Sequence, residues 1–213
     1  MAWSLAALCV GMFGASVALY VLAPSAQEGA AGSALGDLVI FVPFLAFPIV
    51  GVLIASRRPK NPIGWICLAA GFFWMLIAFM ERSGPYWQAV APGSVPTTVV
   101  IDALSLWTWI PPVGLLGIYL ILLFPDGRLP SRRWRPLARL SGAVMVLASL
   151  SITLAPGPLE GHPGVRNPLG LKGHPWIAGA TLVAILLLPV CILASALSLI
   201  LRYRRSGGRC ASR

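Results

Sequence analysis

With 213 residues, 58% of them hydrophobic, only 10% charged and a mean hydropathy of +0.85, the chain is too apolar for a water-soluble domain, which would carry about a quarter charged residues. A net charge of +10 would suggest nucleic acid in a soluble protein. Here the cations fall in short segments between apolar runs, and no basic face or stacking aromatic groove can be assembled, so nucleic acid is set aside as a partner in favour of charge that orients a membrane protein.

In chain order, Ala2–Ala23 carries no charge and at about 1.5 Å per residue is long enough to cross a bilayer core. Its end, Ala23-Pro24-Ser25-Ala26, faintly resembles a signal-peptidase site, but there is no basic leader region, so an uncleaved first helix is expected. Pro24–Gly36 reads as a small polar loop and Asp37 as the N-cap of a second helix, Leu38–Ser56, in which Pro43 and Pro48 are candidate hinges, packing geometry being their plainer role. Arg57–Pro62 is a basic turn before a third helix, Ile63–Met80, with Trp65 at headgroup depth. Glu81-Arg82 is expected to end that helix at a longer loop, Glu81–Pro96.

The fourth helix, Thr97–Phe124, is longer than a span needs, and Pro111-Pro112 is expected to break or bend it near its middle. Asp102, one turn inside its start, is a candidate ligand or relay residue, since an acid within a membrane boundary is a functional hypothesis by default. Trp107 and Trp109 are its candidate neighbours. First-turn helix stabilisation and interfacial packing are the plainer roles for these three residues.

Phe124–Arg139 (FPDGRLPSRRWRPLAR) holds five arginines and one aspartate. Phe124–Gly127 has type I turn chemistry, and Ser131 is placed to cap the next helix. Arg128, Arg132, Arg133, Arg135 and Arg139, with Trp134 at the interface, are expected to meet anionic lipid headgroups, each arginine contributing about 1 kcal/mol. Helix five is expected over Leu137–Ala155 and helix six over Trp176–Leu201, where Pro189 is a further candidate hinge. Pro156–Pro175 reads as a Gly/Pro loop carrying both histidines, and 206–213 as a basic tail.

Six spans put 13 Lys and Arg residues on one side: Arg57, Arg58, Lys60, the five arginines above, Arg202, Arg204, Arg205, Arg209 and Arg213. Only Arg82, Arg166 and Lys172 fall on the other. By the positive-inside rule both termini are expected to be cytoplasmic. The expected architecture is therefore an all-α integral membrane bundle of six transmembrane helices in the plasma membrane, with the bilayer itself as its main partner.

Four segments, RRPKNPIGW (57–65), LLFPDGRLPSRRWRPL (122–137), NPLGL (167–171) and LRYRR (201–205), resemble in this order the N-terminal membrane region of bacterial two-component sensor histidine kinases of the kind common in high-GC Gram-positive bacteria. The resemblance implies a sensory input module in signal transduction, with a partner kinase or a second copy of the chain as candidate partners. In that family the chain runs on from RYRR into helices and a kinase core. Here Ser206–Arg213 comes next, and the two histidines, His162 and His174, fall on the outer side. The chain is therefore not expected to be an enzyme by itself. A frameshifted longer chain and a short free-standing protein both stay open.

No catalytic constellation or cofactor motif is present. His162, His174 and Glu160 share one loop, but their Gly and Pro flanks read as turns and zinc spacing is not matched, so no metal is expected. Cys9, Cys67 and Cys191 lie in apolar runs and read as small apolar residues, and Cys210 is a weak candidate for palmitoylation. Asn61-Pro-Ile-Gly and Asn167-Pro-Leu-Gly precede helices three and six, which leaves a three-plus-three transporter or channel as the alternative reading.

Overall fold

The structure, a computed structural model, describes residues 1–22, 34–90, 95–129, 131–159 and 162–207. Its helices are α1 (Ala2–Leu22), α2 (Ala34–Phe41), α3 (Ala46–Arg57), α4 (Pro62–Val90), α5 (Val95–Ser105), α6 (Ile110–Gly114), α7 (Ile121–Leu123), α8 (Arg135–Thr153) and α9 (Trp176–Gly207). Six stretches are long and apolar enough to cross a membrane: Ala2–Leu22, Val39–Arg57, Pro62–Trp87, Thr98–Leu123, Arg132–Thr153 and Trp176–Arg202. That is the make-up of a multi-pass membrane protein. The sequence expectations at 23–33, Pro92, Glu160 and the tail from 208, with Arg209, Cys210 and Arg213, lie outside the described residues.

Burial runs opposite to that of a water-soluble bundle. In α9 the buried stripe is Ala184, Leu188, Cys191, Ser195 and Ser198, while Leu182, Leu186, Val190, Leu193 and Leu197 point outward. In α8 Ser141, Val144, Ala148 and Ser151 are buried and Leu140, Leu147 and Leu150 are exposed. Small residues on the inside let helices approach, and apolar surface on the outside is what lipid solvates. The buried hydroxyls of Ser195 and Ser198 are satisfied within the helix, donating to the carbonyls of Cys191 and Ser195 at 2.9 and 2.7 Å.

The third span, α4, is the central helix: α1, α3, α5 and α6 all pack against it. Its seam with α3 is backbone on backbone. A Cβ on Gly71 would lie 2.4 Å from Pro48 Cδ, one on Gly64 2.7 Å from the Ala55 nitrogen, and one on Gly51 2.7 Å from the Leu68 nitrogen. Pro48, which the sequence leaves as a packing element or a hinge, sits in this seam, buried on Gly71. The break in the second span falls at Pro43, inside a 3-10 turn, Val42–Leu45, that joins α2 to α3. The helix starts earlier than expected, so Asp37 stands within α2 and does not cap it.

Helix three also runs beyond its expected end, from Pro62 to Val90, straight through Glu81, Arg82 and Pro85. Arg82 is not a loop charge at all: it is 7% exposed within the third span. Contact with α5, as between Gly84 and Asp102, carries the helix past residues that alone would read as a terminus.

The fourth span breaks as expected, but at Leu106–Trp109, just ahead of the prolines. Pro111 and Pro112 then fall in the first turn of α6, where a missing N–H costs nothing. The broken turn is held by N–H bonds from Thr108 to Ser105 O and from Ile110 to Trp107 O, and by the Thr108 hydroxyl donating to Ser105 O at 2.6 Å. Internal satisfaction of this kind is what allows a broken helix at membrane depth. Below it, Leu115–Leu120 is wound as a π-helix, which sequence periodicity did not anticipate. Pro189 lies inside α9, which continues through it without interruption.

The all-α expectation needs one amendment. The segment expected as an outer loop contains an antiparallel two-stranded ribbon, β1 (Pro158–Leu159) with β2 (His162–Arg166), paired Pro158 to Arg166 and Leu159 to His162.

Candidate functional site

Strand β1 borders a cavity of about 650 Å³. Its walls come from four parts of the chain: Glu81 of α4, Ser105, Leu106 and Trp109 at the break of the fourth span, Ile152 and Ala155 at the end of α8, and Pro156–Leu159 with Asn167 above. Leu159 is buried against Val99 and Ala103, which seats the ribbon on α5. Asn167 fixes its other end. The side-chain Nδ2 donates to the carbonyls of Thr153 and Ala155 at 2.8 and 3.1 Å, closing the C-terminus of α8, while Oδ1 accepts the Leu169 N–H at 2.9 Å. Carbonyls left open at a helix end are satisfied here by one side chain.

The three candidate ligand residues are not brought together. Trp109 lines the cavity and packs against the clusters around Cys9 and Met75, around Val144, and around Ala148. It is the ring at which the first three spans meet the last two. Trp107 faces elsewhere, edge-on to Phe73 at 5.8 Å and onto a groove of about 390 Å³ with Pro111, Met145 and Leu150. Asp102 is half-buried over Gly84 of α4, where a Cβ would come within 3.4 Å of its Oδ1, and its carbonyl accepts the Ser105 hydroxyl at 2.8 Å. Glu81 and Asn167 were missed as site residues. The Asn-Pro turn was legible, yet its second use, as a cap for a helix fourteen residues earlier, carries no local signal.

At the other end, three of the four resemblance segments converge. The Phe124–Pro125 peptide is cis, and the turn closes with the Gly127 N–H on the Leu123 carbonyl at 2.8 Å, so the expected type I turn is replaced. Gly127 has φ +71°, and a Cβ there would lie 2.5 Å from Asn61 Oδ1, so only glycine fits both the backbone and the neighbour. Arg202 of α9 donates to the Phe124 carbonyl and, at 2.9 Å, to Asp126 Oδ2. Asn61 Oδ1 accepts the Ile63 N–H, and Trp65 Nε1 donates to the Pro59 carbonyl at 2.9 Å, which stiffens the basic turn. Arg128, Arg132, Arg133, Arg135 and Arg139 are exposed and Trp134 is half-buried. Ser131 takes the N-cap position without a side-chain bond, contrary to its expected capping role.

His174 is exposed, its Nδ1 3.1 Å from the Lys172 carbonyl and its ring edge-on to Trp176. The side chain of His162 is not among those described, and no group of three metal-ligating residues occurs among the described residues. Cys9, Cys67 and Cys191 are buried free thiols. No family model, curated protein or solved structure matches the chain.

Proposed function

We propose that the chain is a membrane-embedded input module, in which occupancy of the 650 Å³ cavity is passed along the fourth span to the turn held by Arg202. One observation carries this reading: the break at Leu106–Trp109 lines the cavity, and the same span ends at Phe124, whose carbonyl Arg202 holds. A ligand that prefers one arrangement of the break shifts the population of the whole span by its difference in affinity for the two states. The resemblance to sensor-kinase membrane regions supports the same role, with output passing through Arg202–Arg205 to a partner kinase or within a homo-oligomer.

The orientation we infer places both termini in the cytoplasm of a bacterial cell. Its support is the distribution of charge, which sharpens once Arg82 is counted inside a span, leaving Arg166 and Lys172 as the loop cations opposite the basic turns. An impermeant maleimide on intact cells should label a Lys172→Cys variant and spare Arg58→Cys and Arg128→Cys.

The signalling role is tested by spin labels at Arg128→Cys and Leu201→Cys in nanodiscs. Compounds that quench tryptophan fluorescence in the wild type and not in Trp109→Phe should change the distance between the labels. An inner distance that ignores such occupancy overturns the reading. A second reading, a small transporter, is favoured by the broken span beside a cavity; uptake of the same compounds into proteoliposomes would establish it instead.

A further inference from the structure

We propose that the cleft between the Arg57–Pro62 turn and the Phe124–Gly127 turn binds one anionic phospholipid. The cleft is about 380 Å³, walled by Leu53, Ile54, Ile63 and Phe124, with Arg57 and Arg58 among its lining residues. Arg57 ends α3, and Arg58 is its C-cap, its N–H bonded to the Ile54 carbonyl at 2.8 Å. Both residues therefore leave from a helix end that is itself packed on α4. Planar guanidinium groups match phosphate oxygens in pairs, unlike the point charge of an ammonium.

The charge is uncompensated where it matters. Among the described residues neither arginine is in an ion pair, and the carboxylate of the facing turn, Asp126, is engaged by Arg202. The cleft lies between the C-terminus of α3 and the N-terminus of α4, whose opposite dipole ends offset one another and leave the two arginines as its net charge.

What separates a lipid from a free phosphate is the surface that leads away from the arginines. Ile49, Leu53 and Arg57 are spaced four residues apart on α3, so they share one face of the helix. Ile49, Val50 and Leu53 are all exposed. A phosphodiester at Arg57 and Arg58 thus continues into an apolar track running along the helix, the path an acyl chain takes. A basic pocket between membrane helices with such a track is the setting in which anionic headgroups are held. Bound there, the lipid contacts the second span and the end of the fourth span at once.

The test is native mass spectrometry of the full chain in detergent, titrated with dioleoyl phosphatidylglycerol, dioleoyl phosphatidylcholine or glycerol 3-phosphate. The wild type should retain one phosphatidylglycerol in preference to phosphatidylcholine. Arg57→Gln with Arg58→Gln should weaken that retention about thirtyfold, from two arginine contacts, while Arg166→Gln with Lys172→Gln, which removes equal charge away from the cleft, should leave it within about threefold. Leu53→Trp fills the cleft at unchanged charge and should also displace the lipid, which keeps the test valid if the arginine variant folds poorly. Equal losses in the two charge-removing variants would show diffuse attraction and overturn the site. Full competition by glycerol 3-phosphate would overturn the lipid in favour of a free anion.

Discussion

The α3–α4 seam and the fourth span are both membrane-length, both rich in glycine and proline, and built in opposite ways. In the seam each glycine meets backbone or a proline ring, as Gly71 meets Pro48, and nothing there can give. Along the fourth span Gly114 and Gly117 meet the side chains of Met145 and Ile192, and cavities border the span at its break and at the Phe124–Gly127 turn. Small residues against rigid neighbours fix two helices together, whereas small residues against flexible side chains leave room to repack. The chain thus pairs a stiff frame with one adjustable span.

The largest expected effect comes from cutting the join between the two. Trp109→Ala should cost about 3 kcal/mol and split denaturant unfolding in micelles into two transitions; a single unshifted transition would mean that the halves are coupled elsewhere. Next is a matched pair. Gly71→Ala and Gly114→Ala each place a Cβ 2.4 Å from a neighbour, Pro48 Cδ in one case and Met145 Sδ in the other. The first should destabilise by about 2 kcal/mol. The second should be neutral within about 0.5 kcal/mol, because methionine yields and alanine favours helix by about 0.5–1 kcal/mol over glycine. Equal losses would erase the distinction between frame and span.

Asn167→Ala should cost about 1–2 kcal/mol by leaving the α8 carbonyls unsatisfied, with faster amide exchange over 154–171 and none in α3. Smallest is Asp126→Asn. The pair with Arg202 is exposed, 66% and 32% for the two side chains, and such pairs are worth at most about 1 kcal/mol. Stability should barely move, while a label at Arg128→Cys should gain mobility because the ion-paired bond from Arg202 becomes a weaker one to a neutral amide oxygen.

Local features were the ones legible in the sequence. Uninterrupted apolar runs made six spans legible, and Pro111-Pro112 made the break in the fourth span legible to within a few residues. Arg82 was misread, and Pro48 stayed open, for one reason. A proline reads as a hinge or as a packing element until Gly71 is known to lie under it, and an arginine looks like a terminus until the helix is seen to run on through it. The cavity was illegible because Glu81, Ser105 and Asn167 are far apart in the chain and none belongs to a spaced motif. The convergence of Asn61, Gly127 and Arg202 was half legible: their segments could be picked out, but not their contact.

The π-wound stretch Leu115–Leu120 sets how the two ends of the fourth span are phased. A π turn holds about one residue more than an α turn, so rewinding the stretch to α would turn the Phe124 end relative to the break by about 100°, one residue's worth of helix. Deleting Leu116 would take out that residue and keep the two ends of the span in their present phase.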